Sequence, residues 1–491
     1  MTNEMPETGQ HTVEKIGGTS MSNYPAVRDN IIFRGDRSNT DLYNRVFVVS
    51  AYGGITNQLL EHKKTGQPGI YALFASANGD ASWQNALDDL TESLHEINAG
   101  LFTDTHILRL ANRFIDERLA QARRCLVDLH SLCQHGHFAI DDHLQTVREM
   151  LASIGEVHSA WNTATLLKAD GVNSRFVDLS GWNATHHLHL DQRIEEAFRE
   201  IDVSRQLPIV TGYTHCQTGL MASFDRGYSE MTFSRVAVLT KAKEAIIHKE
   251  YHLSSADPGL VGPQNAVPIG KTNYDVADQL ANLGMEAIHP KAAIGLRQNN
   301  IVLRVKNTFE PEHEGTSITS DYVSEAPRVE IIAGRKNVYA IECFDQEMMG
   351  QIDVYDARLL QCIKRFKAGI VTKDINANTI THYLASNLKN VKRIQAAILE
   401  AFPQSDISLR QVAIVSAIGS NMKVPGMLAK TVAALAEENI SVLAMHQSMR
   451  QVDMQFVLDE SDYDLAVKSL HKCLIEDEPQ LERPCVVTSL K

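Results

Sequence analysis

Lys15 is followed by Gly17, Gly18, Thr19 and Ser20, a spacing suited to phosphoryl chemistry. Val13 to Ile16 reads as a short buried strand, and the glycines then turn the chain into a helix start. Paired glycines let backbone N–H groups approach an anionic oxygen, and a helix N-terminus adds a favourable dipole. A lysine on the strand just before would neutralise charge on a phosphoryl group in transfer. The plainer alternative is an ordinary strand-to-helix turn with a solvated lysine. A second segment, Ser50 to Asn57 (SAYGGITN), repeats the pattern of a strand end, glycines and a hydroxyl opening a helix. Alone it reads as a plain loop. Paired with the first, it supplies a second polar rim at the carboxyl end of one sheet, where open α/β folds bind ligands.

Other suggestive groups do not sustain a chemical reading. Gly270-Lys271-Thr272 looks like the end of a phosphate-binding loop, but position 265 is Asn where that motif requires Gly. His186, His187 and His189 have no Cys or acidic partner at metal-ligand spacing, so a solvated role is expected. Cys125 follows Arg123 and Arg124 within a helical pattern and reads as inert. The seven cysteines form no C-x-x-C pair and their odd number gives no disulfide framework, which points to a reducing compartment.

Positioning these segments requires a sheet. RVFVVSA (45–51) and LPIVTGY (207–213) are short, apolar and β-branched, as buried parallel strands are. Between them, from about Trp83 to Ile154, runs a helical stretch with few breakers. Strands joined by helices imply a mostly parallel sheet covered on both faces. After about Ala326 the pattern changes. Asn337–Asp345 alternates as a strand, and Leu359, Cys362, Ile363 and Phe366 share one helical face. Strand-like runs at 369–373 and 377–384 precede a helix carrying Val391, Ile394 and Ile398. The order then repeats: a strand (411–419), a helix with Leu428, Val432, Leu435 and Ala436 on one face, and strands at 440–447 and 452–458. The last helix starts at Ser461 with Asp464 in a capping-box-like position. It buries Ala466, Leu470, Cys473 and Leu474, and CVVTS can return as a strand. A β-α-β-β-α unit written twice is a tandem ferredoxin-like pattern.

Composition bounds the function. The 491 residues suffice for about three domains. Hydrophobic residues at 44% and charged residues at 22% permit a sizeable core. A net charge of -13 argues against a nucleic-acid partner. No apolar stretch approaches the roughly 18 residues of a membrane span, and the polar N-terminus is unlike a signal peptide. A cytoplasmic enzyme with neither a membrane nor a nucleic-acid partner is expected.

The two glycine segments resemble the K-F-G-G-T-S and S-A-x-x-G-x-T-N motifs of aspartate kinases, in the amino-acid kinase superfamily. Further matches follow along the chain. Gly155-Glu156 is similar to the family's G-E segment, and Tyr274-Asp275 and GMEAIHP (284–290) to its Y-D-E-A and G-A-K-V-L-H-P. RVKNTFEPEHEGT (304–316) is similar to R-V-K-N-T-F-x-P-x-x-x-G-T. Regulatory members end in two ACT modules, the duplication found above. The resemblance therefore implies an α/β amino-acid kinase domain at 1–325 and βαββαβ ACT modules at 326–404 and 405–491.

It also implies an activity: ATP- and Mg²⁺-dependent phosphorylation of the β-carboxylate of L-aspartate, opening an amino-acid or ectoine pathway. Lys15 would contact the γ-phosphate beside the Gly17 and Gly18 amides, with Ser20, Asp257, Pro258 and Lys306 on the nucleotide side. Thr56, Glu156, Arg226 and Ser229 would hold aspartate, Arg226 through the α-carboxylate and Glu156 through the α-ammonium. Glu230 would orient Lys15. No protein ligand for a metal is evident. The β-carboxylate is already ionised at neutral pH, so the chemistry needs positioning and charge neutralisation, not a general base.

Some positions depart from the family. G-R-G-G-S-D appears as Asp225-Arg226-Gly227-Tyr228-Ser229-Glu230, with tyrosine for glycine and a longer carboxylate. Of the nucleotide segment T-D-V-x-G-V-Y-T-x-D-P-R, only Asp257-Pro258 survives, and the lysine of G-A-K-V-L-H-P becomes Glu286. These departures resemble the branch associated with ectoine synthesis. Two rivals stay open: a glutamate-type carboxylate kinase, and a non-catalytic amino-acid sensor with a decayed nucleotide site. The ACT modules imply homo-oligomers and an effector such as threonine or lysine. The loop Gly419 to Gly426 with the end of the adjacent strand could form its niche, using Asn421, Met422, Gln447 and Ser448.

Overall fold

The computed structural model describes residues 9–35, 42–63, 65–76, 81–135, 137–182, 184, 186–224, 227–285 and 287–477. The chain divides into two compact units, Met1–His252 with Ile288–Ser320, and Leu253–Ala287 with Asp321–Lys491.

In the first unit, the strands β1 (Thr12–Ile16), β2 (Arg45–Val49), β3 (Ser174–Val177), β4 (Leu207–Thr211), β5 (Glu244–Lys249), β6 (Val302–Asn307) and β7 (Thr316–Thr319) lie in the order β3-β4-β2-β1-β5-β6-β7. All neighbours are parallel except β6 and β7. β1 and β2 are buried along their whole length, and in β2 this is why the segment reads as an apolar run. The expected single helical stretch is three helices, Ser82–Leu101, Thr105–Cys133 and Leu144–Ala169. Asp104 starts the second, its carboxylate accepting the His106 and Ile107 amides.

The glutamate beside Lys15 anchors β1 from the other face. Glu14 is fully buried and bonded by Arg45 (2.6 and 3.0 Å) and His248 (2.8 Å). Burial alone would raise its pKa, but the Arg45 charge and the His248 hydrogen bond hold it well below the usual carboxylate range. β1, β2 and β5 are thereby locked in register beneath the glycine turn.

In the second unit, β8 (Ile331–Phe344), β9 (Gly369–Asn376), β10 (Thr379–Ala385), β11 (Asp406–Ile418), β12 (Val442–Gln447) and β13 (Asp453–Asp459) form one antiparallel sheet, ordered β9-β10-β8-β11-β13-β12. The two ferredoxin-like repeats are fused through β8 and β11, which pair from Ile331↔Ile418 to Phe344↔Asp406. The sheet is strongly rolled: His446 Nδ1 on one edge strand lies 3.7 Å from Asp374 Oδ1 on the other. Ile332, Ile341 and Cys343 of β8 pack under the repeat helices. Ile331, Ala333 and Val338, on the opposite face, meet Val276 and Leu280 of the helix Tyr274–Asn282.

That helix explains a difference from the sequence reading. Residues 253–287 were expected with the kinase domain but cluster with the second unit, because the rolled sheet would otherwise expose an apolar face. Other differences are local. The helix Met427–Glu437 buries Met427, Thr431, Ala434 and Leu435; of the expected stripe Leu435 is in the core and Leu428 packs partly buried against it, whereas Val432 is exposed. Thr431 can be buried because its hydroxyl bonds the Met427 carbonyl. Asp464 forms no cap; it pairs with Lys336 at 2.7 Å. The CVVTS strand lies outside the described residues. Gly270-Lys271-Thr272 runs into a short strand, Lys271–Asn273, and not into a phosphate-loop helix.

Candidate functional site

Lys15 ends up at the carboxyl end of β1, with only 8% of its surface exposed. The turn after it is packed too closely for a side chain: a Cβ on Gly18 would sit 2.6 Å from the Ala51 carbonyl oxygen. The two glycine segments are thus pressed together, and the Gly53 amide donates to Ser22 Oγ at 2.8 Å. Ser20 is buried and shares a hydrogen bond with Thr308 Oγ1 (3.0 Å), tying the turn to the segment after β6.

The helix Leu144–Ala169 reaches the same place because Gly155 lets it. A Cβ there would lie 2.6 Å from Ala51 Cβ. The next residue, Glu156, is 1% exposed, and its Oε1 accepts the Tyr228 hydroxyl at 2.7 Å, with Ser229 Oγ at 3.5 Å. Its Oε2 is buried without a partner. Burial pushes this carboxyl up to about 7, against the Tyr228 hydrogen bond, backbone hydrogen bonding including Ala51, and the Lys15 charge. A buried carboxylate oxygen left without a partner is costly unless a cation or donor meets it.

Glu230 opens the helix Tyr228–Leu239, 3.9 Å from Lys15 Nζ, and also accepts the His289 amide. One carboxylate therefore positions Lys15, while a second, Glu156, stays unsatisfied nearby. Thr56 lies in the helix Ile55–Leu59, half-buried. Tyr228, noted in the sequence only as a departure, is the residue that holds Glu156. Its role was illegible because the hydroxyl crosses between two helices 72 positions apart.

Arg226 and Glu286 lie outside the described residues. Asp257 and Pro258 belong to the second unit, where Asp257 caps the helix Pro258–Val261 by accepting the Gly259 amide at 2.8 Å. Lys306 pairs in register with His248, which pairs with Ile16, so it faces away from Lys15 across the sheet. Its ammonium donates to the Pro311 carbonyl (3.3 Å) in a separate cavity of about 460 Å³ with Glu14 and His248. Alternation along β1, β5 and β6 thus separates Lys306 from the Lys15 side.

In the second unit, Met422 is 2% exposed and packs into the apolar core, away from any polar niche. Asn421 donates to the Ser324 carbonyl and accepts the Arg328 amide. The Ser420 amide and hydroxyl are both taken by Glu330 (2.9 and 3.1 Å). Gln447 and Ser448, at the end of β12, are half-buried.

Among the described residues no group of three or more His, Cys, Asp or Glu could hold an ion, the His186–His189 cluster included. No helix among the described residues is long and apolar enough to cross a membrane.

Comparison with known proteins agrees with the geometry. The amino acid kinase family matches residues 10–307, and an ACT domain matches residues 415–474. The chain is 55% identical over 468 residues to aspartate kinase Ask_Ect of Stutzerimonas stutzeri (strain A1501), covering 95% of this chain and 98% of that one. It is 24% identical to the chloroplastic aspartokinase 1 of Arabidopsis thaliana, across 96% and 82% of the two chains. The fold is similar to that of E. coli aspartokinase III in complex with aspartate and ADP, with a TM-score of 0.71 at 18% identity over 95% and 100% of the chains. With the lysine-glycine turn, the helix-borne Glu156 and the tandem repeats all in place, the chain belongs to the amino acid kinase family and, within it, to the aspartate kinases.

Proposed function

We propose that this enzyme transfers the γ-phosphoryl group of ATP to the β-carboxylate of L-aspartate, giving ADP and 4-phospho-L-aspartate. The observation that carries the reading is Glu156, a buried carboxylate whose second oxygen has no partner, set beside Lys15. An α-ammonium would satisfy that oxygen and hold the carboxyl ionised. Arg226 would receive the α-carboxylate and Thr56 and Ser229 would flank it. The β-carboxylate is then free to attack in line. Lys15, oriented by Glu230, and the amides of the Gly17-Gly18 turn neutralise charge as the phosphoryl group moves. Bound with ATP, magnesium would supply charge neutralisation on the phosphates.

Purified protein with ATP, Mg²⁺ and L-aspartate should form an acyl phosphate that hydroxylamine traps as the hydroxamate. Product from glutamate but not aspartate would overturn the substrate assignment. No product from either, with no nucleotide binding, would favour an amino-acid sensor. The ectoine branch, a homo-oligomer built through the ACT modules, and threonine or lysine as effector belong to the same proposal. The structural neighbour solved with lysine and aspartate shares the fold and supports trying lysine first. Titration calorimetry with lysine, threonine and ectoine tests it, and absence of all three heats would leave the modules without these effectors.

A further inference from the structure

The first unit contains a second cavity, of about 770 Å³, that the phosphoryl chemistry does not use. It lies between the helices Thr105–Cys133 and Leu144–Ala169 and the loops after β3 and β4. Its inner wall is largely buried. Tyr213 is 1% exposed, its hydroxyl donating to Glu149 at 2.7 Å. Glu149 in turn accepts three successive amides, of Leu220, Met221 and Ala222, so its charge is spent on the scaffold.

Two polar groups on this wall are left over. Ser180 is 5% exposed and its hydroxyl has no partner, and His215 Nδ1 is likewise buried and unbonded. Burial first, and then the Arg193 charge, hold the His215 imidazole below its ordinary range, so it is neutral near pH 7. Trp182 contributes an indole fixed by Gln121 and by the Arg118 guanidinium, 5.0 Å from its ring centroid. At the outer edge stand Arg124 and Asp128, one helical turn apart, both exposed and without an ion pair among the described residues.

We propose that this cavity binds a dipolar small molecule, carrying a carboxylate and a cationic nitrogen on an apolar body. The body lies along Trp182 and Tyr213, the carboxylate meets Arg124 and the cationic nitrogen meets Asp128. Ser180 and His215 take a polar substituent. A cavity of this size with a few convergent polar groups is the usual form of a small-molecule site. It is also wired to the phosphoryl site: Tyr213 packs edge-on against Tyr228, ring centroids 5.7 Å apart, and Tyr228 holds Glu156. An occupant pressing on Tyr213 therefore shifts the aspartate affinity, a consequence that rests on the proposed role of Glu156, whereas binding itself does not.

Cys125 lines the cavity and is exposed, which makes it a local reporter, and Cys133 on the same helix is an internal control. The full-length protein is alkylated with iodoacetamide and each cysteine peptide is followed by mass spectrometry. The probes are L-phenylalanine, 3-phenylpropionate and phenethylamine. L-Phenylalanine should protect Cys125 but not Cys133 and change the tryptophan emission, with each single-charge analogue about fivefold weaker. Arg124→Gln and Asp128→Asn should abolish that preference with unchanged circular dichroism. Failure of all three probes to protect Cys125, or equal protection in the variants, overturns the site. Protection without any change in aspartate KM leaves the site and removes its coupling to Glu156.

Discussion

Replacing Glu156 with glutamine should make the empty protein more stable at pH 8 while crippling its use of aspartate. The carboxyl titrates at about 7 in the folded chain, above the 4.5 of an unperturbed glutamate, with burial as the main cause. Between these values the folded state binds more protons than the unfolded one. The stabilisation this provides is complete below pH 4.5 and is lost as pH rises through 7. About 2.5 units at 1.36 kcal/mol each sets an upper bound of roughly 3 kcal/mol on that loss. Glutamine never ionises, keeps an oxygen for the Tyr228 hydroxyl, and places an amide N–H₂ where Oε2 has no partner. An unmet buried donor costs about 1–3 kcal/mol, so the variant gains up to roughly 2 kcal/mol at pH 8 and gains nothing at pH 4.5, where protonated Glu156 carries an unmet donor of its own. Denaturant melts of both proteins at the two pH values read this difference directly. Saturating aspartate should stabilise the wild type at pH 8 and leave the variant unmoved, and aspartate KM should rise at least about tenfold. A variant less stable than wild type at both pH values, or one with unchanged KM, would refute the assignment of Glu156 as a buried ammonium receptor.

Lys15→Ala should lower kcat roughly 10²-fold with a smaller change in aspartate KM, because its charge matters most as the phosphoryl group moves; a pure KM effect in steady-state assays would count against it. Tyr228→Phe removes the 2.7 Å hydrogen bond to Glu156, so the pH at which aspartate KM improves should move up by about one unit. Gly155→Ala forces a Cβ to 2.6 Å from Ala51 Cβ and should cost about 1–3 kcal/mol in denaturant melts, with a raised aspartate KM as the helix retreats. Truncation after Glu325 should yield aggregating protein rather than an unregulated kinase, since the cut bares Val276 and Leu280; a soluble monomer by gel filtration would contradict this.

Much of the architecture was legible because it depends on period and local turn chemistry. The β-branched run at 45–49 could only be a buried strand, and the duplicated helix and strand pattern after residue 326 marked the tandem modules. Lys15, Gly17 and Gly18 stood out as residue types at motif spacing, and Glu156 only through the family resemblance. Register was not. Whether Lys306 faces Lys15 depends on the pairing of Ile16 with His248 and of His248 with Lys306, a one-residue matter that no local signal sets. The covering of the rolled sheet by 253–287 and the burial of Met422 depend on which apolar faces remain open once distant strands have paired. The protonation of Glu156 belongs to the same class. Its pKa is set by exclusion of water and by a tyrosine 72 residues away, and desolvation exists only after the chain has closed around it.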